Sequence, residues 1–179
     1  YVPEERLGRG AVPPLSLGHN ALLTAHRQGM KHWGLVRYGM ARNYADECVN
    51  RFDVRGADAS TNARALSGGN MQKLILGRAL LPPPGADEKA VPNLIVAHQP
   101  TWGLDIGAVA YVHDQLIAAR DAGAAILLIS DDLDEVIELG DRIAVMHDGH
   151  LTEARPYDDW TREEIGLAMA GLHAPEETG

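Results

Sequence analysis

Short apolar runs alternate with segments of helical spacing throughout the second half of the chain. The apolar runs are residues 94–97, 124–130 and 142–146, and the helical segments between them are residues 107–122 and 132–139. Strands that are apolar on both faces are typical of parallel sheets, because helices cover both sides of such a sheet. The alternation therefore predicts an α/β fold with a mostly parallel sheet. At 179 residues the chain is expected to form one domain, or most of one.

The first half of the chain is mostly helical in pattern. Helical spacing over residues 21–52 is interrupted by Gly29, Gly34 and Gly39, which predicts a small helical subdomain made of short pieces. We divide the chain into four segments. They are a connection (1–15), a helical subdomain (16–85), half of an α/β core (86–160), and a C-terminal helix with a frayed tail (161–179). Asp148-Gly149 predicts a turn after the last strand, and Thr161 and Glu164 have the spacing of a capping box at the start of that last helix.

Charge and composition exclude several classes of function. The net charge is -9, with 16 Lys and Arg against 25 Asp and Glu, which argues against a surface for nucleic acid or anionic lipid. Cys48 is the single cysteine, so no intrachain disulfide forms, and a reducing cytoplasm is expected. No run approaches the ~20 apolar residues of a membrane-spanning helix. Because the sequence starts with Tyr1 and not with Met, we expect it to begin within a longer protein.

The segment Leu66-Ser67-Gly68-Gly69-Asn70-Met71-Gln72 contains the most informative chemistry. Its two glycines let the backbone approach a ligand, and the serine hydroxyl can donate a hydrogen bond. Helical spacing starts at Met71 and stops at the proline run 82–84, so the loop should open directly onto a helix N-terminus, which favours anions such as phosphate. Taken alone, the segment is more typical of a common Ser-Gly-Gly turn that only caps the helix.

The order of the motifs resembles the nucleotide-binding domains of ABC transporters. Residues 66–70 resemble the LSGGQ-like signature loop of that family. A hydrophobic strand and the segment 100–105 resemble its Asp-Glu-Pro-Thr motif and D-loop, and residues 126–132 resemble the strand before its switch histidine. The resemblance spans nearly the whole chain and implies part of a P-loop NTPase fold with a helical subdomain.

Three details of the sequence narrow this resemblance. They are the signature variant with Asn70, the opening segment Tyr1-Val2-Pro3-Glu4-Glu5-Arg6, and the segment Gln99-Pro100-Thr101. These details most resemble the second ATPase half of the tandem subunits that serve sugar or nucleoside importers. The motifs are shared by both kinds of importer, so the transported substrate and the permease stay open.

The sequence departs from the family pattern at the nucleotide-binding loop. A Walker A loop, G-x-x-x-x-G-K-S/T, uses backbone amides and a lysine to hold phosphates. It does not occur in these 179 residues, and none of the three lysines, Lys31, Lys73 and Lys89, follows a glycine. At the position of the family's Q-loop glutamine the chain has Pro3 or Glu4.

The catalytic positions that the resemblance implies are also altered. His98 occupies the position of the aspartate that holds the magnesium shell, Gln99 that of the catalytic glutamate, and Asp131 that of the switch histidine. Gln99 could orient a water molecule but could not accept its proton. We therefore expect no competent catalytic residue and no metal site in this chain.

Because family members pair head to tail, the resemblance implies a site shared with a second ABC ATPase domain. That domain would hold most of the ATP and Mg²⁺. This chain would contact the ATP through its signature residues Ser67, Gly68, Gly69, Asn70 and Gln72, and the D-loop residues Gly103, Leu104 and Asp105 would couple the two sites. A membrane permease would dock on the helical subdomain, about residues 16–80, which implies a cytoplasmic protein on the inner face of the cell membrane.

Other interpretations of the same residues stay open. A stand-alone regulatory module that dimerises with an intact ATPase is one, and a metal-dependent phosphohydrolase using His98, Asp131 and Asp132 is another. His147 and His150 with His98 and Asp131 could form a metal ligand set. The pair Asp131-Asp132 could belong to a magnesium-dependent phosphatase, although aspartate before a helix is more often an N-cap. Two minor expectations concern packing: that Trp33 lies in the subdomain core, and that Asp134, Glu135 and Glu138 form a solvated helix face.

Overall fold

The computed structural model describes residues 1–26, 30–82, 84–85 and 92–172. The chain packs into two compact units, Tyr1–Leu127 and Leu128–Gly179, which are described separately. The four segments predicted from the sequence divide the chain by functional role, and the packing of the chain does not test that division. The four segments therefore stay a prediction. No helix among the described residues is both long enough and apolar enough to cross a membrane.

The first unit begins with helices and a short hairpin. In chain order these are α1 (Leu17–Ala25), β1 (Lys31–His32), β2 (Leu35–Val36), α2 (Tyr38–Arg51), a 3₁₀ turn (Ala63–Ala65) and α3 (Gly68–Leu80). Ser16 caps α1 by accepting a hydrogen bond from the His19 amide at 3.3 Å. The helical pattern over residues 21–52 thus contains an antiparallel hairpin that periodicity did not predict. Trp33 and Gly34 both have positive φ, +52° and +79°, and such a pair forms the tight turn of a hairpin.

The helices α1, α2 and α3 pack together and bury the core of this part of the unit. Tyr44 from α2 donates its hydroxyl to the Leu81 carbonyl at 3.1 Å, which ties α2 to the end of α3. The fully or nearly fully buried apolar side chains are Leu17, Ala21, Ala41, Tyr44, Ala45, Cys48, Met71, Leu74, Ile75 and Leu76.

The expectation that Trp33 lies in the subdomain core is wrong. Its side chain is 91% exposed, and Leu35 beside it is 74% exposed. Each strand of this hairpin is only two residues long, and the turn between the strands leaves the Trp33 side chain in solvent. Sequence spacing cannot reveal this, because an aromatic residue at a hairpin tip and one in a core have the same local pattern.

The strand β3 (Leu94–His98) organises the rest of the first unit. On one side Val2 forms a parallel bridge to Ala97, with hydrogen bonds from Val2 N to Val96 O (2.8 Å) and from His98 N to Val2 O (2.9 Å). Its other neighbour is β4 (Ala125–Ile129), which the chain reaches through α4 (Ile106–Asp121). A helical crossover is the connection that parallel neighbours need. The predicted order of strand, helix and strand is confirmed.

The second unit contains α5 (Leu133–Leu139), β5 (Arg142–Ile143), β6 (Met146–His147), β7 (His150–Leu151), β8 (Arg155–Pro156), a 3₁₀ turn (Tyr157–Asp159) and α6 (Arg162–Met169). The predicted strand over residues 142–146 is two short strands, because its two ends pair with different partners. β5 pairs with β8, and β6 forms a hairpin with β7. The predicted turn at Asp148-Gly149 connects β6 to β7, with positive φ at both residues.

The capping box at the start of α6 is confirmed, since the Thr161 and Glu164 side chains each bond the other's backbone amide. Ile143, Val145 and Ile165 form the small core of the second unit. The expected frayed tail, residues 173–179, lies outside the described residues.

The expected solvated face of α5 is partly wrong. Asp134 and Glu138 are exposed, and Asp134 forms an ion pair with Arg162. Glu135, however, is only 3% exposed. It lies in the first turn of α5, where its amide and that of Asp134 are bonded by the capping side chain of Asp132.

Gly10 should tolerate no side chain. A Cβ there would lie 2.5 Å from Ile75 Cδ1 and 2.7 Å from the Arg6 carbonyl oxygen, whereas a Cβ at Gly39 in α2 would meet nothing within 4 Å. We expect Gly10→Ala to lower the free energy of unfolding by about 1–3 kcal/mol through overpacking. Gly39→Ala should leave it unchanged or raise it by up to about 1 kcal/mol. Urea denaturation of both variants checks this, and equal stability of the two would contradict the packing of residues 5–11 on α3.

Cys48 should be chemically protected in the folded chain. Its side chain is fully buried, and burial raises the pKa of its thiol to about 12. Since the thiolate is the reactive form, labelling at pH 8 should be more than about 100-fold slower in native buffer than in denaturant. A colorimetric thiol assay measures the labelling rate of Cys48 in native buffer and in denaturant with the same reagent. Rapid labelling with unchanged circular dichroism would contradict the packing of α2 against α3.

Candidate functional site

The signature loop, residues 66–70, opens directly onto α3 as predicted. Ser67 is the N-cap residue, with φ -64° and ψ 161°, and its hydroxyl accepts from the Asn70 amide at 3.4 Å. Gly68 and Gly69 form the first turn of the helix. Ser67 and Gly68 are exposed, and Gly69 is half-buried. Because the first amides of a helix have no intrahelical partner, this surface presents donors to an anion.

The side chain of Asn70 anchors the loop to the preceding segment. Its Oδ1 accepts from the Arg55 amide at 3.1 Å, and its Nδ2 donates to the Arg55 carbonyl at 3.4 Å. Both ends of the amide are therefore used within the chain. Asn70 consequently fixes the shape of the signature loop more directly than it presents a group to a ligand.

One turn further along, Lys73 reinforces the same contact between α3 and the segment before it. Its Nζ lies 3.0 Å from Asp53 Oδ2 and 3.1 Å from the Asp53 carbonyl, and also 4.6 Å from the centre of the Tyr111 ring on α4. The hydrogen bond from Lys73 holds the pKa of the Asp53 carboxyl below its usual value. Lys73 thus ties three segments together around the base of the signature loop.

Gln72 does not share the surface of the other signature residues. Its side chain is 1% exposed, and neither its Oε1 nor its Nε2 has a hydrogen-bond partner in the described part of the chain. A nucleotide held by another domain would not reach this buried amide. Burial therefore argues against the expected contact of Gln72 with ATP. The contact expected from Ser67, Gly68 and Gly69, with Asn70 as their support, stays a prediction.

The D-loop, residues 102–105, lies beside the signature loop. A Cβ on Gly68 would be 4.0 Å from Leu104 Cδ2, and a Cβ on Gly69 would be 3.4 Å from Ala108 Cβ in the first turn of α4. Asp105 caps α4 by accepting from the Ala108 amide at 3.0 Å. The starts of α3 and α4 are thus neighbours, so residues 36 and 39 positions apart share one surface.

The carboxyl end of β3 contains His98 and Gln99. His98 is half-buried, with Nε2 3.7 Å from Glu4 Oε2. Gln99 is 8% exposed and has a φ of +47°, an uncommon conformation for a non-glycine residue, and its carbonyl accepts from the Trp102 amide at 3.2 Å. Imidazole and amide groups do not form the oxygen-rich donor set that Mg²⁺ requires, so this strand end does not fit a resident magnesium ion.

The residues of the metal hypotheses do not assemble into a site. Among the residues that the structure describes, no three His, Cys, Asp or Glu side chains come together as metal ligands. His147 Nδ1 lies 2.9 Å from the Met169 carbonyl, and His150 Nδ1 lies 3.1 Å from the Asp148 carbonyl. Asp131 is exposed in the second unit, and Asp132 beside it is the N-cap of α5, as the capping interpretation predicted. Among the described residues, no ligand cluster supports the phosphohydrolase alternative.

Sequence reasoning missed one residue at the site. Arg6, in the opening segment of the chain, donates from Nη1 to the carbonyl of Trp102 in the D-loop at 2.7 Å. The two residues are 96 positions apart, and no local pattern signals such a contact.

Proteins similar to this chain in sequence include import ATP-binding proteins. No protein-family model matches the sequence. The nucleoside import ATP-binding protein NupA of Lactococcus lactis is 41% identical over 96% of this chain and 32% of its own length. The guanosine import ATP-binding protein NupO of Bacillus subtilis is 40% identical over 96% and 32%, and the glucose import ATP-binding protein TsgD13 of Haloferax volcanii is 40% identical over 96% and 30%. The chain spans about a third of the length of these curated relatives.

Solved structures show the same fold. An ATP-binding subunit of an ABC transporter superposes with a TM-score of 0.64 at 20% identity, over 97% of this chain and 63% of that one. A dimeric ATP-binding cassette bound to ADP and Pi gives 0.62 at 23% identity, over 84% and 61%. The fold is therefore that of part of an ABC ATPase domain. More specifically, the chain is homologous to part of the ATP-binding proteins of ABC importers for sugars and nucleosides.

Mutation can separate the two properties of Ser67, the capping of α3 and the exposed hydroxyl that could contact a ligand. Ser67→Ala removes the capping oxygen and should lower the free energy of unfolding by about 0.5–1 kcal/mol. Ser67→Asp keeps a good capping acceptor and should stay within about 0.5 kcal/mol of the wild type. Urea denaturation of the two variants tests this. A larger loss in Ser67→Asp than in Ser67→Ala would show that the hydroxyl is not the N-cap of α3.

Proposed function

We propose that the chain is part of the ATP-binding component of an ABC importer for sugars or nucleosides, and that its signature loop completes an ATP site held by a partner ATPase domain. The observation that supports this most directly is the exposed first turn of α3, where Ser67 and Gly68 face outward. The names of the relatives support import of a nucleoside or a sugar, and leave the choice between them open.

The proposed contact is with the γ-phosphate of the partner's ATP. The Ser67 hydroxyl and the amides of Gly68 and Gly69 would donate to it, and the positive end of the α3 dipole would add to the attraction. These donors are fixed in advance, because Asn70 holds Arg55 and Lys73 holds Asp53. Preorganised donors stabilise transferring phosphoryl groups without reorganising during the reaction.

The partner domain would make most of the contacts to the ATP and the Mg²⁺. In this chain the sequence G-x-x-x-x-G-K-S/T does not occur, and the end of β3 offers His98 and Gln99 in place of carboxylates. An amide cannot accept the proton of an attacking water. We therefore propose no competent catalytic residue here: His98, Gln99 and Asp131 would be altered versions of catalytic positions, and the chain would contribute to hydrolysis in trans.

The D-loop would transmit the state of one site to the other in a head-to-tail pair, because Gly103, Leu104 and Asp105 lie beside the signature loop. The helical part of the first unit would bind a membrane permease and so hold the protein at the inner face of the cell membrane. Its exposed large apolar side chains support such an interface; they are Leu23, Trp33, Leu35 and Tyr38.

The direct test is ATP hydrolysis by an intact ABC ATPase domain mixed with this chain and Mg²⁺. We expect no hydrolysis by the chain alone and clear hydrolysis by the mixture. Ser67→Asp should lower the hydrolysis rate that depends on this chain about 100-fold or more, since a carboxylate repels phosphate and the hydroxyl donor is lost. Ser16→Asp is the matched control, because Ser16 caps α1 in the same way but is not part of the signature loop.

Two results would contradict the proposal. Hydrolysis by the chain alone would mean that a complete nucleotide site exists within it. An unchanged mixed rate with Ser67→Asp would mean that the signature loop does not contact the nucleotide.

A further inference from the structure

We infer that Arg6 is a positioning residue that joins the D-loop to the signature loop, so that the two loops present one fixed surface. The structural part of this inference, the link between the two loops, concerns this chain alone. The catalytic consequence of the link rests on the proposed function, namely that the signature loop completes a partner's ATP site.

The guanidinium of Arg6 bonds one loop and lies close to the other. Nη1 donates to the Trp102 carbonyl at 2.7 Å, and Nη2 lies 3.5 Å from the position of a Cβ on Gly103. The same Nη2 lies 3.9 Å from the position of a Cβ on Gly68 in the signature loop. One planar group therefore lies between residues 68 and 102–103. A Cβ at either glycine would make only an ordinary van der Waals contact with it, so the link between the loops is the Trp102 hydrogen bond together with this proximity to residue 68.

The backbone of Arg6 is fixed on α3, the helix that begins with the signature loop. The Arg6 carbonyl accepts from the Ala11 amide at 2.7 Å, which closes a tight turn. Gly10 within this turn packs directly under Ile75, and its carbonyl accepts from Arg78 Nη2. Ile75 and Arg78 both belong to α3. Arg6 is thus attached to α3 through its backbone and to the D-loop through its side chain.

Arginine is suited to this position for physical reasons. Its guanidinium is planar, charged at all relevant pH values, and presents several donors in fixed directions. A hydrogen bond from a charged donor to a carbonyl is stronger than a neutral one. Lysine keeps the charge but not the planar fork, and glutamine keeps a neutral donor at a shorter reach. The variants Arg6→Lys and Arg6→Gln therefore separate geometry from charge.

Hydrogen exchange of the full chain tests the structural part without any partner. In Arg6→Gln we expect exchange to rise about tenfold at the amides of residues 102–105 and 67–70, and to stay unchanged over residues 128–172. Arg6→Lys should give an intermediate rise. Arg9→Gln is the matched control, since Arg9 belongs to the same turn but forms an exposed ion pair with Glu5 and should leave both loops unchanged.

Two exchange results would overturn the inference. One is wild-type exchange in both loops of Arg6→Gln. The other is a rise that extends equally through α1 and α2, which would make Arg6 a general stabiliser of the unit and not a link between the loops.

Steady-state hydrolysis by the mixture with an intact ATPase domain tests the catalytic consequence. Arg6→Gln should lower kcat about tenfold with little change in KM for ATP, because the partner still binds the nucleotide while the surface that completes the site has lost its fixed shape. An unchanged kcat would overturn the catalytic role. If Ser67→Asp also has no effect, the proposed function itself is wrong, and the exchange experiment still decides whether Arg6 joins the loops.

Discussion

The close approach of the first turns of α3 and α4 determines the geometry of the candidate site. The two turns are close enough that a Cβ at position 69 would be in van der Waals contact with Ala108, and one at position 68 with Leu104. Gly68 and Gly69 expose the start of α3 to a ligand. Behind this turn α3 is buried through Met71, Leu74, Ile75 and Leu76, so the helix that presents the donors is also the centre of the core. Rigidity of the loop thus comes from the packing of the whole helix.

Local signals predicted the parts of the structure that depend on neighbours in sequence. The Ser67 cap, the capping box of Thr161 and Glu164, and the turn at Asp148-Gly149 all follow from short-range chemistry. The order β3, α4, β4 and α5 followed from apolar periodicity in the same way, whereas periodicity predicted one strand over residues 142–146 and did not predict β7 and β8. The chemistry of the loop, an exposed helix N-terminus with two glycines, was also predictable from residues 66–72.

The features that sequence did not predict depend on distant contacts. Gln72 is two residues beyond Asn70, yet helical geometry places its side chain in the core while Ser67 stays exposed. Trp33 lies at a hairpin tip, which the helical pattern of residues 21–52 did not predict. Glu135 is buried although it lies in a helix turn with acidic residues. Arg6 reaches a carbonyl 96 positions away. Each of these depends on which segments pack together, and a single sequence does not encode that in its spacing.

The central claim is that the signature loop of this chain contacts the γ-phosphate of a partner's ATP. The most direct measurement uses an ATP analogue with a photoreactive group on its γ-phosphate, bound to an intact ABC ATPase domain with Mg²⁺ and mixed with this chain. After irradiation, mass spectrometry locates the label. The account predicts label within residues 67–70 of this chain, lost when unmodified ATP is in excess. Label confined to the partner domain, or found only within residues 128–172, would contradict it.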